Sequence, residues 1–333
     1  MARSALVAVY SCALRTSREM GAKIKCVECS QEFSSDRRLH AHLKKHNLTV
    51  AGYYTSFYPR YNKLNGEPLP FKNKEEYFNN DFSTYQQMIK WCASSDPLEV
   101  KEYLLSQLTH RVKSKELKYG PCHLDMRTKK LPPLNFYKDI FGSYSSACKQ
   151  LDIEPLFDKG VPVDFWETNT EIQELDIFID TREQKPLKFK NSTEMKLDFG
   201  DYTIGGDYYD YTYIDRKSES DFKGTLGAGY DRFRKEIERC REFNSYLYIV
   251  IESDIKKIYK NNHFAPHKSN LTYIFYNMRQ IIQDYPRRCQ FIFTGNRKNS
   301  EELIPKLLYY GRKLWQTDLQ YFLDTREYEE SKT

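Results

Sequence analysis

Between residues 171 and 320 the chain alternates short apolar runs with longer amphipathic ones. The runs ELDIFID, MKLDFGDYTI and YYDYTYIDRK have the composition of strands, and Gly205-Gly206-Asp207 marks a turn between the second and the third. YLYIVIES and CQFIFTG are typical of buried strands, whereas GYDRFRKEIERCREF, NLTYIFYNMRQIIQDY and SEELIPKLLYYGRKLW have helical periodicity. The order βββαβαβα predicts an α/β fold in which an antiparallel start continues into a parallel layer flanked by helices.

Helical periodicity also runs through residues 99–160. LEVKEYLLSQLTHRV predicts one helix, and NFYKDIF and SYSSACKQL predict two more after the break at Leu131-Pro132-Pro133. Gly142-Ser143 between the last two serves as a stop and an N-cap, which is typical of helix-turn-helix spacing. We further predict an N-terminal extension over residues 1–22, a linker with short helices over 48–98 and a tail over 321–333.

Positive charge is concentrated in this helical segment. The 333 residues carry a formal net charge of +6, and residues 109–149 alone hold nine Lys or Arg against three acids, a difference that is also +6. Such a segment beside a near-neutral remainder favours binding to a polyanion, of which nucleic acid is the commonest. A solvated basic surface is the alternative. The predicted phosphate contacts are Lys129, Lys130, Lys138 and Lys149.

The composition excludes several classes of protein. With 40% apolar and 29% charged residues, the chain is globular rather than disordered. The absence of a run of 18 apolar residues argues against a membrane span. Eight cysteines without the spacing of a disulfide framework predict a reducing compartment, the cytoplasm or, in a eukaryote, the nucleus.

The most specific motif reads Cys26-x2-Cys29-x12-His42-x3-His46. Two thiolates from a hairpin and two imidazoles one helical turn apart supply a tetrahedral zinc site. The motif resembles the Cys2His2 zinc finger, which implies a small ββα unit over residues 23–47 with a structural Zn²⁺. On its helix Arg37 and Arg38 are the predicted DNA contacts. A structural or protein-binding finger is the alternative.

Acidic residues mark the ends of the predicted C-terminal strands. Asp201 begins the second strand and Asp215 lies near the end of the third, so a hairpin folded midway between them brings the two together. Side-chain alternation puts Lys217 on the face of Asp215 and Arg216 on the other, and Asp180 joins from the first strand. The three carboxylates predict a Mg²⁺ or Mn²⁺ site for phosphodiester hydrolysis, with Lys217 acting on water or phosphate.

Three motifs in this region, IDTREQKP, FGDYTI and IDRKSESD, resemble the nuclease domain of the XPF-type structure-specific endonucleases. The resemblance implies a restriction-endonuclease-like mixed sheet over residues 171–320 and DNA cleavage that leaves a 5′-phosphate and a 3′-hydroxyl. It also implies roles for Glu183 as an additional or water-mediated ligand, for Arg216 and Asp221 as supports of the site, and for Arg232 as a phosphate contact. Monomer and homodimer through this domain both stay open.

Two features depart from that family. Asp215 stands where the family has Glu, which shortens the reach of the carboxylate by one methylene. The family's tandem helix–hairpin–helix tail is not found, so we expect DNA targeting to come from the N-terminal modules. Within 99–160, LPPLNFYKDIFGSYSSACKQLDI resembles the homing endonuclease associated repeat, which implies a DNA-binding module of the kind carried by mobile-element nucleases.

Together these features predict a modular, metal-dependent DNA endonuclease, of homing type and encoded by a phage or a mobile element. A repair or recombination nuclease that cuts flaps or branches is the second hypothesis. The third, from another functional class, is a DNA-binding regulator with an inactive nuclease core.

Overall fold

The fold is that of a computed structural model. The structure describes residues 23–167 and 169–326. The chain divides into two compact units, Met1–Asp96 and Pro97–Thr333. The predicted N-terminal extension, residues 1–22, lies outside the described residues, as does 327–333 of the predicted tail. Within the described residues, no helix is long and apolar enough to cross a membrane.

The first unit builds one core from the Cys/His motif and the segment that follows it. Strands β1 (Ile24–Lys25) and β2 (Glu32–Phe33) pair antiparallel, and helix α1 (Asp36–His42) continues into a 3-10 turn, Leu43–His46. Helices α2 (Val50–Phe57), α3 (Lys74–Asn79) and α4 (Tyr85–Ser94) follow. Tyr53, Tyr54, Leu69 and Tyr77 share a buried cluster with Leu39 and Leu43. The segment predicted as a linker with short helices thus contains three short helices, and its aromatic residues are buried in the same core as the motif.

The second unit opens with four helices, of which the periodicity predicted all but the one over His123–Lys129. They are α5 (Pro97–Lys115), α6 (His123–Lys129), α7 (Leu134–Phe141) and α8 (Tyr144–Lys149). Gly142, at φ 77°, ends α7 in the left-handed conformation that glycine adopts readily, and the Ser143 side chain caps α8 by accepting from the Ser146 amide. Strand β3 (Tyr119–Gly120), between α5 and α6, pairs parallel with strand β4 (Glu154–Pro155), which follows α8.

After the short helix α9 (Thr170–Gln173), the chain forms a six-stranded mixed sheet. This sheet, with its helices, confirms the predicted α/β fold. Its strands are β5 (Asp176–Asp180), β6 (Asn191–Met195), β7 (Tyr202–Ile204), β8 (Thr212–Lys217), β9 (Tyr246–Ile251) and β10 (Cys289–Phe293). The spatial order is β10-β9-β8-β7-β5-β6. β7 pairs antiparallel with β5 and β8, while the other neighbours are parallel, so an antiparallel start does continue into a parallel layer.

The run MKLDFGDYTI, predicted as a single strand, is divided. Its first residue, Met195, ends β6, and β7 begins only at Tyr202. Between them the Leu197 amide donates to the Asp180 carboxylate at 2.7 Å, and Gly200 adopts a left-handed φ of 57° that an extended strand does not allow. The chain therefore leaves the edge of the sheet and re-enters it between β5 and β8.

Helices cover the parallel half of the sheet. They are α10 (Glu219–Leu226), α11 (Tyr230–Glu242), α12 (Ile255–Phe264), α13 (Leu271–Asp284), α14 (Arg297–Tyr310) and α15 (Leu319–Thr325). All residues of β9 and β10 are buried. Helix α15 corrects the predicted start of the tail, because Tyr321 and Phe322 are buried there and the Gln320 side chain accepts from the Phe293 amide of β10.

Candidate functional site

The hairpin of β7 and β8 sets the geometry of the site. Tyr202 pairs with Ile214, and the Asp201 amide donates to the Ile214 carbonyl at 2.7 Å. The Arg216 amide in turn donates to the Asp201 carboxylate at 2.7 Å. Asp201 therefore lies opposite Asp215, in the register that the hairpin prediction requires. The approach is close, since a Cβ on neighbouring Gly200 would lie 2.5 Å from the Ile214 carbonyl oxygen.

Asp215 and Lys217 lie on one face of β8. The Lys217 ammonium donates to Asp215 Oδ1 at 2.6 Å. Asp215 is only 3% exposed, and its second oxygen, Oδ2, is buried without a hydrogen-bond partner. A buried polar atom without a partner costs about 1–3 kcal/mol in a folded protein. This oxygen is therefore a point where the site accepts a further ligand.

Burial and neighbouring charges shift the pKa values of Asp201 and Lys217. Burial, and next the negative charge of Asp215, raise the pKa of Asp201 to about 8. Burial opposes the charge on Lys217, but Asp215, Asp201 and Glu236 together outweigh this effect, and the pKa of Lys217 is raised above its usual value. Near neutral pH the site therefore combines a fully charged ammonium with a carboxyl pair that carries less than two negative charges.

Glu236 on α11 is a site residue that the sequence reasoning missed. Burial and the negative charge of Asp215 raise its pKa, and Lys217 and Arg182 also interact with it. Phe233, Ile237 and Cys240 are the buried residues of the same helix. Position 236 lies on their face by helical periodicity. An acid within an apolar stripe was the signal available in the sequence.

Arg216 contacts a different set of acids from Lys217. Its guanidinium donates to Glu183 with two nitrogens, at 3.1–3.3 Å, and to Glu252 at 3.1 Å. All three side chains are largely buried. Glu183 is thus paired with Arg216 and is not grouped with Asp215 and Lys217, while Arg216 holds the ends of β8 and β9 together.

Asp180 reaches the site through its backbone. Its amide donates to the Asp201 carbonyl at 2.9 Å, but each carboxylate oxygen accepts two hydrogen bonds, three in all from Arg182 and one from the Leu197 amide. Burial alone would raise the pKa of Asp180, but these bonds hold it below its usual value. The carboxylate is therefore already satisfied by protein donors.

The remaining sequence-predicted residues are one acid, Asp221, and the seven predicted DNA contacts. Asp221 is exposed in the first turn of α10, where its carboxylate accepts from the Ser218 hydroxyl at 2.7 Å. Lys138 lies over the ring of Tyr321, with its ammonium 5.1 Å from the ring centre. The other predicted DNA contacts are exposed on the protein surface, namely Arg37, Arg38, Lys129, Lys130, Lys149 and Arg232.

Cys26, Cys29, His42 and His46 converge in the first unit. Their ligand atoms lie within 4.8 Å of one another. Cys29 Sγ is 3.2 Å from His42 Nε2, which is 3.0 Å from His46 Nε2. Tetrahedral zinc with bonds of about 2.0–2.3 Å separates neighbouring ligand atoms by about 3.3–3.8 Å, so the cluster has the right size to hold such an ion. His40 does not join it, because its Nε2 lies 3.0 Å from the Tyr54 hydroxyl.

The carboxyl pair of Asp201 and Asp215 suits a metal ion that differs from zinc in the ligands it prefers. Its donors are all oxygens, which Mg²⁺ and Mn²⁺ prefer, and an ion beside Asp215 Oδ2 would partner that buried atom. Across residues 23–167 and 169–326, the Cys/His cluster is the one group of three or more potential ligands gathered within 4.8 Å. Two carboxylates, rather than three, therefore form the centre of the acidic site.

No known protein family matches the chain, and no curated protein does. Among solved structures, the chain is similar to XPF from Aeropyrum pernix, with 19% identity and a TM-score of 0.32 over 41% of this chain and 66% of that chain. It is also similar to XPF from Aeropyrum pernix in complex with DNA, with 20% identity and a TM-score of 0.31 over 40% of this chain and 63% of that one. The chain spans a little under two thirds of either structure.

Proposed function

We propose that the protein is a metal-dependent endonuclease that hydrolyses phosphodiester bonds in DNA. One observation carries the proposal. The register of β7 and β8 places Asp201 opposite Asp215, whose Oδ2 is buried and unpartnered, with the Lys217 ammonium on the same face. A pair of buried carboxylates beside a lysine fits the binding of a divalent cation next to an anionic phosphate.

Each residue of the site has a part in this chemistry. Asp201 and Asp215 would hold Mg²⁺ or Mn²⁺, and the bound ion supplies Lewis acidity to the phosphate and to an attacking water. Lys217, charged at neutral pH, would stabilise the negative charge that develops on the phosphate oxygens. The water oxygen forms the new bond to phosphorus and the bond to the 3′ oxygen breaks, which yields a 5′-phosphate and a 3′-hydroxyl.

Other acids would support rather than perform this step. Arg216, through Glu183 and Glu252, positions the strand that carries Asp215. Glu236 lies at the margin of the pair. Asp180 would join the ligand set only by releasing Arg182, to which it is bound through both carboxylate oxygens.

The modules before the sheet would hold the DNA. Zinc in the Cys26/Cys29/His42/His46 cluster would stabilise the ββα unit, which carries Arg37 and Arg38 on its helix surface. The basic helices α5–α8 would supply phosphate contacts through lysines such as Lys129 and Lys149. We favour recognition of a particular DNA site, as in homing nucleases, because the sequences of both modules resemble classes that bind DNA by inserting a helix.

Cleavage assays with the full chain test the proposal. With Mg²⁺ or Mn²⁺ we expect cutting of DNA, and Asp201→Ala or Lys217→Ala should lower the rate about 100-fold or more while DNA binding persists. Equal cutting by parent and variants would show that the site is assigned wrongly. Binding without any cleavage would favour a DNA-binding regulator. Long natural DNA and synthetic flaps, compared side by side, separate site-specific from branch-specific cutting.

A further inference from the structure

A groove of about 660 Å³ lies beside the acidic site, between α10 and the start of α13. Its walls are the outer residues of α10, the turn that follows it, and the first turn of α13, with the preceding Ser269. The lining residues include Ser220, Lys223, Gly224 and Tyr273. None of the side chains assigned to catalysis lines this groove.

The groove begins next to the catalytic strand. Ser220 follows Lys217 by three residues, so their Cα atoms are at most about 11 Å apart. The first turn of α10 is fixed in place, because Glu219 accepts from Ser253 at the end of β9 and from Asn261 of α12. The Ser220 end of the groove therefore lies within about 11 Å of the strand that carries Asp215 and Lys217.

The segment that supplies the second wall of the groove is positively charged. Residues 255–283 contain five Lys or Arg and two His, and no Asp or Glu. The exposed members include Lys256, Lys257, Lys260 and Lys268. Inside the groove Lys223 is paired with Glu219, so the surplus charge comes from this neighbouring segment. A polyanion is the ligand that this charge distribution favours.

Aromatic side chains interrupt the same surface. Tyr273, in the groove, is 48% exposed and Phe264, at the end of α12, is 74% exposed, while Tyr259 and Tyr276 are exposed to a similar degree as Tyr273. Large exposed aromatic side chains among lysines are typical of proteins that bind single-stranded nucleic acid, where each ring stacks on an unpaired base. Bases of a duplex are already stacked on one another and offer no free face.

We propose that this groove binds a single strand of nucleic acid and leads it to the carboxyl pair, with Tyr273 stacking on a base. The inference rests on the proposed nuclease function for the direction of the strand, but the binding itself is independent of cleavage. The strand that occupies the groove is unpaired, and in a duplex target it would come from a locally opened stretch of the double helix.

Gly224 offers a test with a matched control. A Cβ at this helical position would meet no atom within 4 Å, so a side chain can be added without a clash. Gly224→Glu places a carboxylate in the groove, whereas Gly224→Ala leaves the groove open. With the full chain, without added Mg²⁺ or Mn²⁺, fluorescence anisotropy should show oligothymidine binding weakened at least about fivefold by Gly224→Glu and unchanged by Gly224→Ala, while duplex binding stays equal in all three proteins.

Photocrosslinking identifies the contact directly. Single strands of DNA and of RNA that carry 5-iodouracil should crosslink to a peptide containing Tyr273, and Tyr273→Ala should remove that crosslink. The two strands separate a DNA groove from one that accepts either nucleic acid. Oligothymidine binding unaffected by Gly224→Glu, an equal loss of duplex binding, or crosslinks only outside the groove would overturn the inference. If Tyr273 crosslinks but the protein cuts no DNA, the groove still binds a single strand and the proposed nuclease function is refuted.

Discussion

Asp215 is the residue on which the acidic site depends most. One oxygen accepts from Lys217 and the other is buried without a partner, while Asp201 lies across the hairpin. A glutamate here would add a methylene to a side chain that is 3% exposed, and overpacking of this kind costs about 1–3 kcal/mol. The shorter acid thus matches the close spacing of the two strands.

The raised pKa of Asp201 predicts how stability depends on pH. A carboxyl whose pKa is about 8 in the fold stabilises the protein fully below its ordinary value near 3.8, and this contribution is lost as the pH rises through about 8. Without added Mg²⁺ or Mn²⁺, the parent should therefore lose stability between pH 4 and 8 relative to Asp201→Asn. Urea unfolding at pH 5 and at pH 8.5 should show the variant gaining on the parent at the higher pH.

The control for this measurement is Asp198→Asn, which changes an exposed acid of the same loop. Its difference from the parent should be the same at both pH values. A pH-independent difference for Asp201→Asn as well would mean that Asp201 is not held against Asp215 as the structure has it.

At the scale of the element, the hairpin from β7 to β8 was predictable because its signals are local. The midpoint of the two acids, residue 208, directly follows a Gly-Gly-Asp turn, and this spacing together with side-chain alternation suffices to pair Tyr202 with Ile214. β6 was not separable from β7 in the sequence, because its position depends on parallel pairing with β5 and on the bond from the Leu197 amide to Asp180. Such contacts between distant segments leave no period in the sequence.

Glycine at position 200 should be essential to this hairpin. Its φ of 57° and the 2.5 Å approach of a Cβ to the Ile214 carbonyl predict that Gly200→Ala costs about 2 kcal/mol or more of folding free energy. Gly206, in the same hairpin, also has a left-handed φ, of 67°, but open space around it. Gly206→Ala should therefore cost only about 1 kcal/mol. Urea denaturation of both variants decides, and equal losses would argue against the close strand contact.

The side chains that hold the acids were harder to predict than the acids themselves. Asp180, Asp201 and Asp215 stand at strand ends that the sequence indicates. That Arg182 binds Asp180 and that Glu183 pairs with Arg216 follows from the path of the loop after β5, which no pattern reveals. Glu236 could have been noticed as an acid on the apolar face of its helix. Asp215, whose negative charge raises the pKa of Glu236, lies on a different element.

At the scale of the whole molecule, the two units should respond differently to loss of zinc. The core of Met1–Asp96 includes Cys26 together with Tyr53 and Tyr54, so removal of the ion should loosen the entire unit. Limited proteolysis after treatment with a zinc chelator should cut within residues 23–96 while 97–326 stays protected.

Substitutions make the same test without a chelator. Cys29→Ser should expose residues 23–96 to protease even when zinc is present. Cys92→Ser changes a buried cysteine of the same unit whose Sγ contacts Met88 rather than the cluster, and its protection should remain zinc-dependent. Equal protection of parent and Cys29→Ser would contradict a structural role for the ion.

The two edges of the sheet differ in a way that bears on association between molecules. At β10 the backbone of Phe293 is bonded to the Gln320 side chain of α15, whereas β6 is an outer strand of five residues, NSTEM, most of them exposed. An outer strand can template the addition of a foreign strand, and polar residues without β-branched apolar side chains make such addition unfavourable. The polar residues of β6 therefore disfavour aggregation through this edge, and hydrophobic substitutions at Ser192 and Glu194 would favour it.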